Sequence, residues 1–173
     1  EGDDQVYVAV NISVIQLLQE DFPSRVEAIV TKAGIDPQNL QLEITESVLI
    51  EDFDDIKAKL LPLRALGLTI ALDDFGTGYS ALSRMGELPV DYIKIDKSFV
   101  DKILVEDDQT QIIKEIIAMC HKLNLKVVAE GVEHEKQRDY LLASSCDLMQ
   151  GYLYSKPLAE DLALQKMKQC MED

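Results

Sequence analysis

Leu68-Thr69-Ile70-Ala71-Leu72-Asp73 is a short apolar run that closes on a carboxylate, with a second carboxylate, Asp74, directly behind it. Period-two counting puts Thr69, Ala71 and Asp73 on one face. The pattern recurs: Val6–Asn11, Leu40–Glu43, Tyr92–Lys94, Leu125–Glu130 and Asp147–Gln150 are apolar runs that each end in a polar or charged residue. Stretches with helical spacing lie between most of them. Strands alternating with helices predict a parallel sheet, closed or open. Chemistry in such folds gathers at the C-terminal ends of the strands. Those ends supply Asn11, Glu43, Asp73, Asp74, Lys94, Glu130 and Gln150, which suggests one active site fed by all the strands.

Working outward, Val6, Val8, Val10 and Ile12 share one face of the first run, and Tyr7, Ala9, Asn11 and Ser13 the other. In a barrel the first set lies under helices and the second points to the axis. Leu40, Leu42 and Ile44 oppose Gln41, Glu43 and Thr45, while Lys126, Val128 and Glu130 share a face, as do Tyr92, Lys94 and Asp96. Helices are predicted over Phe22–Ala33, with Pro23 in its first turn, and along the stripe Ile56, Leu60, Leu63 and Leu66, which Gly67 stops. Another is capped by Asp107-Asp108 and carries Ile112, Ile113, Ile116, Ile117, Cys120 and Leu123. The last two cover His134–Ala143 and Glu160–Cys170. The reading gives one α/β domain over residues 1–173 with no internal boundary.

Net charge is −15, which argues against duplex nucleic acid or an anionic membrane as partner. A small anionic ligand fits only if cations neutralise the site. Cys120, Cys146 and Cys170 match neither a zinc spacing nor a disulfide framework, and free thiols in a reducing cytosol are expected. No run is apolar enough for a membrane span, and Glu1-Gly2-Asp3-Asp4 is not a signal peptide. A cytoplasmic location is the expectation, whether the parent is free or attached to a membrane.

Asp73-Asp74-Phe75-Gly76-Thr77-Gly78-Tyr79-Ser80 is the sharpest motif. Adjacent carboxylates leave a strand end in different directions and can touch two ions. A solvated loop with Asp73 as a cap is the other reading. Glu43, Asp73, Asp74 and Glu130 bring four carboxylates to one mouth, and their repulsion calls for cations. Hard divalent ions with oxygen ligands resolve it, and the carbonyl of Asn11 suits the same ions. The set favours Mg2+ or Mn2+, as a pair clamping a phosphate. Lys94 has two readings: an ion pair with Asp96 or Asp91, or a cation that acts on a water or on developing phosphate charge. Gln150 positions that water or bonds backbone. Glu46 and Glu133 orient ligands and loop, or lie on the surface.

Asn11-Ile12-Ser13 with Gln16-Leu17, Leu42-Glu43-Ile44-Thr45-Glu46, the Asp73–Ser80 motif, Asp91-Tyr92-Ile93-Lys94-Ile95-Asp96, Ala129-Glu130-Gly131-Val132-Glu133 and Gln150-Gly151-Tyr152-Leu153-Tyr154-Ser155-Lys156-Pro157 together resemble the successive motifs of the EAL domain, the bacterial cyclic di-GMP phosphodiesterase family. The resemblance runs from about Val6 to the C-terminus in the family's order. It implies a modified TIM (β/α)8 barrel with one antiparallel strand near its start. It also implies hydrolysis of one phosphodiester of cyclic di-GMP to linear pGpG with two Mg2+ or Mn2+ ions. By motif, Asn11, Glu43 and Asp73 would bind one ion, and Asp73 and Asp74 the other, with Glu130 nearby. Lys94 would contact the attacking water, supported by Gln150. Glu46 would hold the Phe75–Ser80 loop, which in the family also links the site to a homodimer interface. Asp96, Glu133 and Asn11 would lie at the nucleotide.

The name-giving Glu-Ala-Leu motif, expected on a strand before Val6, is absent. The sequence therefore reads as the C-terminal three-quarters of the domain, with about six of eight strands, from a parent carrying an N-terminal sensory or cyclase domain. The segment alone is expected to be inactive and to self-associate along open edges, with Ala9, Ala71 and Val128 exposed. The alternative function is a degenerate EAL module that binds cyclic di-GMP or a protein without turnover.

Overall fold

The structure, a computed structural model, describes residues 6–50, 52–76, 86–105 and 110–172. Six strands form one parallel sheet in chain order: β1 (Val8–Ile12), β2 (Leu40–Thr45), β3 (Thr69–Phe75), β4 (Tyr92–Ile95), β5 (Lys126–Ala129) and β6 (Leu148–Met149). The helices are α1 (Val14–Leu17), α2 (Phe22–Ala33), α3 (Phe53–Ala65), α4 (Lys97–Val100), α5 (Thr110–Lys122), α6 (Glu135–Ala143) and α7 (Glu160–Glu172). Strand order that never reverses is the winding of a barrel, not of a doubly wound sheet. Among the described residues β1 and β6 are edges, each paired on one side, so the barrel is partial.

Alternation places the core. Leu42, Ile44, Ile70, Leu72, Ile93, Ile95, Val127 and Ala129 are all 3% exposed or less, beneath helices that contribute Ile56, Leu60, Leu63, Ile113, Ile117 and Leu141. Each such aliphatic side chain contributes roughly 1.5–3 kcal/mol relative to exposure. Four helices end on one repeated turn, with a left-handed residue at Gly34, Gly67, Asn124 or Ser145. The next amide then bonds back across the turn: Ile35 N to Val30 O, Leu68 N to Leu63 O, Leu125 N to Cys120 O and Cys146 N to Leu141 O, at 2.9–3.3 Å. The repeat closes each helix and starts the chain toward its strand.

The five longer helices agree with those read from sequence, with His134 as the N-cap of α6, while α1 and α4 are additional. The proposed Asp107-Asp108 cap lies outside the described residues, as do residues 77–80 of the glycine loop. The exposure expected of axis-facing residues holds for Ala9, on the edge strand β1, and needs correction for Ala71 and Val128, which are buried on strands flanked on both sides. Val6, Val8 and Val10 are exposed at the same edge, the last two on β1. The described residues include no helix long and apolar enough to cross a membrane.

Candidate functional site

Strand register builds the mouth. Asn11 lies opposite Glu43, Glu43 opposite Ala71, and Thr45 opposite Asp73. Lys94 lies opposite Val128, and Glu130 follows β5 directly, its amide bonded to Ile95 O at 3.1 Å. Leu72 pairs with Ile93 but Phe75 with Ile95, so Asp73 and Asp74 together oppose Lys94. That is a β-bulge. Asp74 takes a left-handed backbone, φ 57°, which an aspartate tolerates better than most residues. The bulge re-aims its carboxylate, which plain alternation would send beneath the helices.

At the centre stands Lys94, 4% exposed. Its Nζ lies 2.7 Å from Glu43 Oε1, 2.8 Å from Glu130 Oε1 and 3.1 Å from Asp73 Oδ2. The other pairing considered for Lys94, with Asp96 or Asp91, is not the one observed: Asp91 pairs with Arg64, and Asp96 caps α4 through Ser98 N. Burial alone would lower the Lys94 pKa, but hydrogen bonds to Glu130, Glu43 and Asp73 outweigh it and hold the ammonium above the ordinary lysine range. Burial raises Glu130, with Lys94 opposing. Asp74 is raised as well, first by partial desolvation and then by Asp73 and Asp96, although its side chain reaches solvent. One ammonium thus serves three carboxylates with a fourth alongside, and the site keeps net negative charge.

The structure brings together Glu43, Asp73, Glu130 and Lys94, with Asn11 beside Glu43 and Asp74 on the bulge. Glu46, buried, accepts a bond from Gly76 N at 3.0 Å. Asp96 enters the mouth only through its charge on Asp74; its own carboxyl is desolvated, yet hydrogen bonds from Ser98 and Lys97 bring its pKa down. Glu133 stands off, on Lys97 at 3.1 Å. Gln150 is exposed after β6, its amide bonded to Ala129 O and its carbonyl accepting from Val132 N. One polar residue escaped the sequence reading. Gln137, fully buried, accepts from Glu133 N and His134 N at 2.8 and 2.9 Å and fixes the turn after Glu130. Its place three residues after the N-cap was the available signal.

The donor set, all oxygen and negative in excess, fits a hard divalent cation. Among the described residues, no three Asp, Glu, His or Cys groups already enclose an ion-sized gap, because the carboxylates converge on Lys94. A cavity of about 350 Å3 opens at the other end of the strands, lined by Tyr7, Gln41, Thr69, Tyr92 and Lys126 among others, and none of the mouth carboxylates borders it.

The EAL domain family matches residues 1–157. Cyclic di-GMP phosphodiesterase NbdA of Pseudomonas aeruginosa is 41% identical over 157 residues, 91% of this chain and 20% of the relative. The PaMucR phosphodiesterase, solved in complex with c-di-GMP, superposes with a TM-score of 0.87 at 36% identity over 94% of this chain and 66% of that one. Klebsiella pneumoniae BlrP1, in its manganese and cy-diGMP complex, gives 0.80 at 32% over 88% and 39%. This chain spans about a fifth of the length of the curated relatives it matches. Match, sheet winding and mouth agree, and the chain belongs to the EAL domain family.

Proposed function

We propose that residues 1–173 are the C-terminal three-quarters of an EAL phosphodiesterase domain, whose mouth hydrolyses one phosphodiester of cyclic di-GMP to linear pGpG. The observation that carries this is the convergence of Glu43, Asp73 and Glu130 on Lys94 at the C-terminal ends of the strands. Relatives named or solved as cyclic di-GMP phosphodiesterases, and a neighbour holding manganese with the dinucleotide, support the substrate and the ions.

In this reading two Mg2+ or Mn2+ ions, when bound, supply a polarised phosphoryl oxygen and an activated water. Asn11, Glu43 and Asp73 would hold one, and Asp73 and Asp74 the other, with Glu130 nearby. Lys94, held among Glu43, Asp73 and Glu130, would orient or help deprotonate the water, or steady negative charge developing on the phosphate. Gln150 supports the water from just beyond β6. Glu46 restrains the backbone behind Asp74, and Asp96 and Glu133 lie toward the nucleotide. The parent protein carries sensory or cyclase domains, as the relatives' greater length suggests; this domain lies in the cytoplasm as a homodimer, whether or not the parent is attached to a membrane. The test is metal-dependent turnover of cyclic di-GMP by the parent, with pGpG as measured product. Nucleotide bound but uncleaved would point instead to a degenerate binding module.

A further inference from the structure

The four-residue helix α4 follows the strand that carries Lys94 and reaches both loops that follow the candidate ligands. Toward β3, the ring of Phe99 lies flush on Gly76, two residues after Asp74. A methyl group on Gly76 would meet ring atoms Cζ at 2.7 Å and Cδ2 at 3.2 Å. Gly76 sits at φ 101° and donates its amide to Glu46 Oε2, so a carboxylate and an aromatic face hold it between them. Toward β5, the stem of Lys97 covers Gly131, the residue after Glu130. A methyl group there would meet Lys97 Cβ at 2.6 Å and Cδ at 2.7 Å. The Lys97 ammonium continues to Asp101 at 2.9 Å and Glu133 at 3.1 Å.

The helix is itself braced. The Lys102 ammonium lies 4.6 Å from the centre of the Phe99 ring, which packs against the core. Gln137 Nε2 donates to Val100 O and Asp101 Oδ1 at 3.3 Å each. One short helix thus presses on the backbone just downstream of Asp73-Asp74 and just downstream of Glu130, and at both points only a glycine permits the approach. Oxygen ligands of Mg2+ sit within a narrow range of distances, so small shifts of either arm matter.

We propose that α4 is the positioning element of the mouth: Phe99 and Lys97 set the separation of the Asp73-Asp74 arm from the Glu130 arm, and with it the affinity for divalent ions. This rests on reading the mouth as an ion-dependent hydrolytic site. The test uses the parent protein. Mn2+ binding is titrated directly, hydrogen exchange is followed at residues 75–76 and 130–133, and turnover is measured separately. Phe99→Ala should weaken Mn2+ binding by about tenfold or more and lower kcat in step, leaving KM for the dinucleotide within about threefold. Phe99→Leu, which keeps an apolar contact on Gly76, should restore most of both. Lys97→Ala removes a side chain that is 43% exposed and leaves the core intact. It should weaken Mn2+ binding a few-fold and speed exchange at 130–133 but not at 75–76, the reverse of Phe99→Ala. Wild-type Mn2+ affinity in both variants overturns the proposal, as does exchange that rises equally in both loops for either variant. A wild-type parent that neither binds Mn2+ nor cleaves the dinucleotide overturns this proposal together with the hydrolytic reading. Active wild type with indifferent variants overturns the role of α4 alone.

Discussion

At the N-terminal ends of the strands, Asp91 and Asp147 each precede a strand and accept a backbone amide from the neighbouring one, Ile70 N at 3.0 Å and Val127 N at 2.8 Å. Each also meets one basic side chain from the helix that leads into that neighbour: Arg64 at 2.7 Å, or His121 at 2.8 Å. At the C-terminal ends, Glu43, Asp73 and Glu130 share one ammonium, and Asp74, on a bulge, is coupled by charge to Asp73 and Lys94. The lower acids each have an amide and one side-chain partner of their own, and they act as joints between successive βα units. The upper acids exceed their cation, which a structural joint would not require. Excess buried charge of one sign marks a site meant to receive charge of the other.

The sharpest way to break the contrast is Asp73→Asn. It removes a ligand assigned to both ions, and turnover in the parent should fall by several orders of magnitude, while dinucleotide binding falls less because phosphate and base contacts persist. Near-normal turnover would sink the bridging role. Lys94→Met is next. Turnover should fall by about 10²–10³, as for loss of a charge-stabilising donor. The chain should also lose about 3–5 kcal/mol in urea unfolding, because buried carboxylates are left without their cation. If the variant only raises KM, Lys94 is a binding cation and its role at the water is wrong.

Glu46→Ala tests the backbone behind the bulge and should do less. Without its acceptor the Gly76 amide is freed, and ion affinity should drop by roughly 10–100-fold with the fold intact. Unchanged exchange at Gly76 together with unchanged affinity would reduce Glu46 to a strand-end residue.

Alternation of branched and polar residues made the strands legible, and with them the inward direction of Asn11, Glu43, Asp73 and Lys94. It could not show the bulge. A strict period of two puts Asp74 opposite Asp73, and only the left-handed backbone at Asp74 undoes that. Nor could it show α1 or α4, which are too short for helical periodicity to register. What Phe99 and Lys97 touch depends on loops distant in sequence, so no local pattern betrays them. Ala71 and Val128 are covered because β3 and β5 lie inside the sheet, a position that counting along one strand does not give. The ends of the strands also shifted: β6 shrinks to Leu148–Met149, leaving Gln150 beyond it.

The smallest effects belong to the lower end and separate a joint from a site. Asp91→Ala bares the Ile70 amide and removes the Arg64 pair together. An amide left without a partner in a half-buried position costs about 1–3 kcal/mol, and unfolding in urea should register that loss. Arg64→Ala removes only the pair. Its side chain is 48% exposed, so water screens the interaction and the loss should be about 0–1 kcal/mol. The order is the informative part: if Asp91 works chiefly through the backbone, its removal costs more than that of its cation. Neither variant should alter turnover per folded molecule in the parent, because neither residue reaches the mouth. An Arg64→Ala loss as large as that of Asp91→Ala would make the charge, not the amide, the substance of the joint. A turnover defect in either would join the two ends of the sheet that the structure keeps apart.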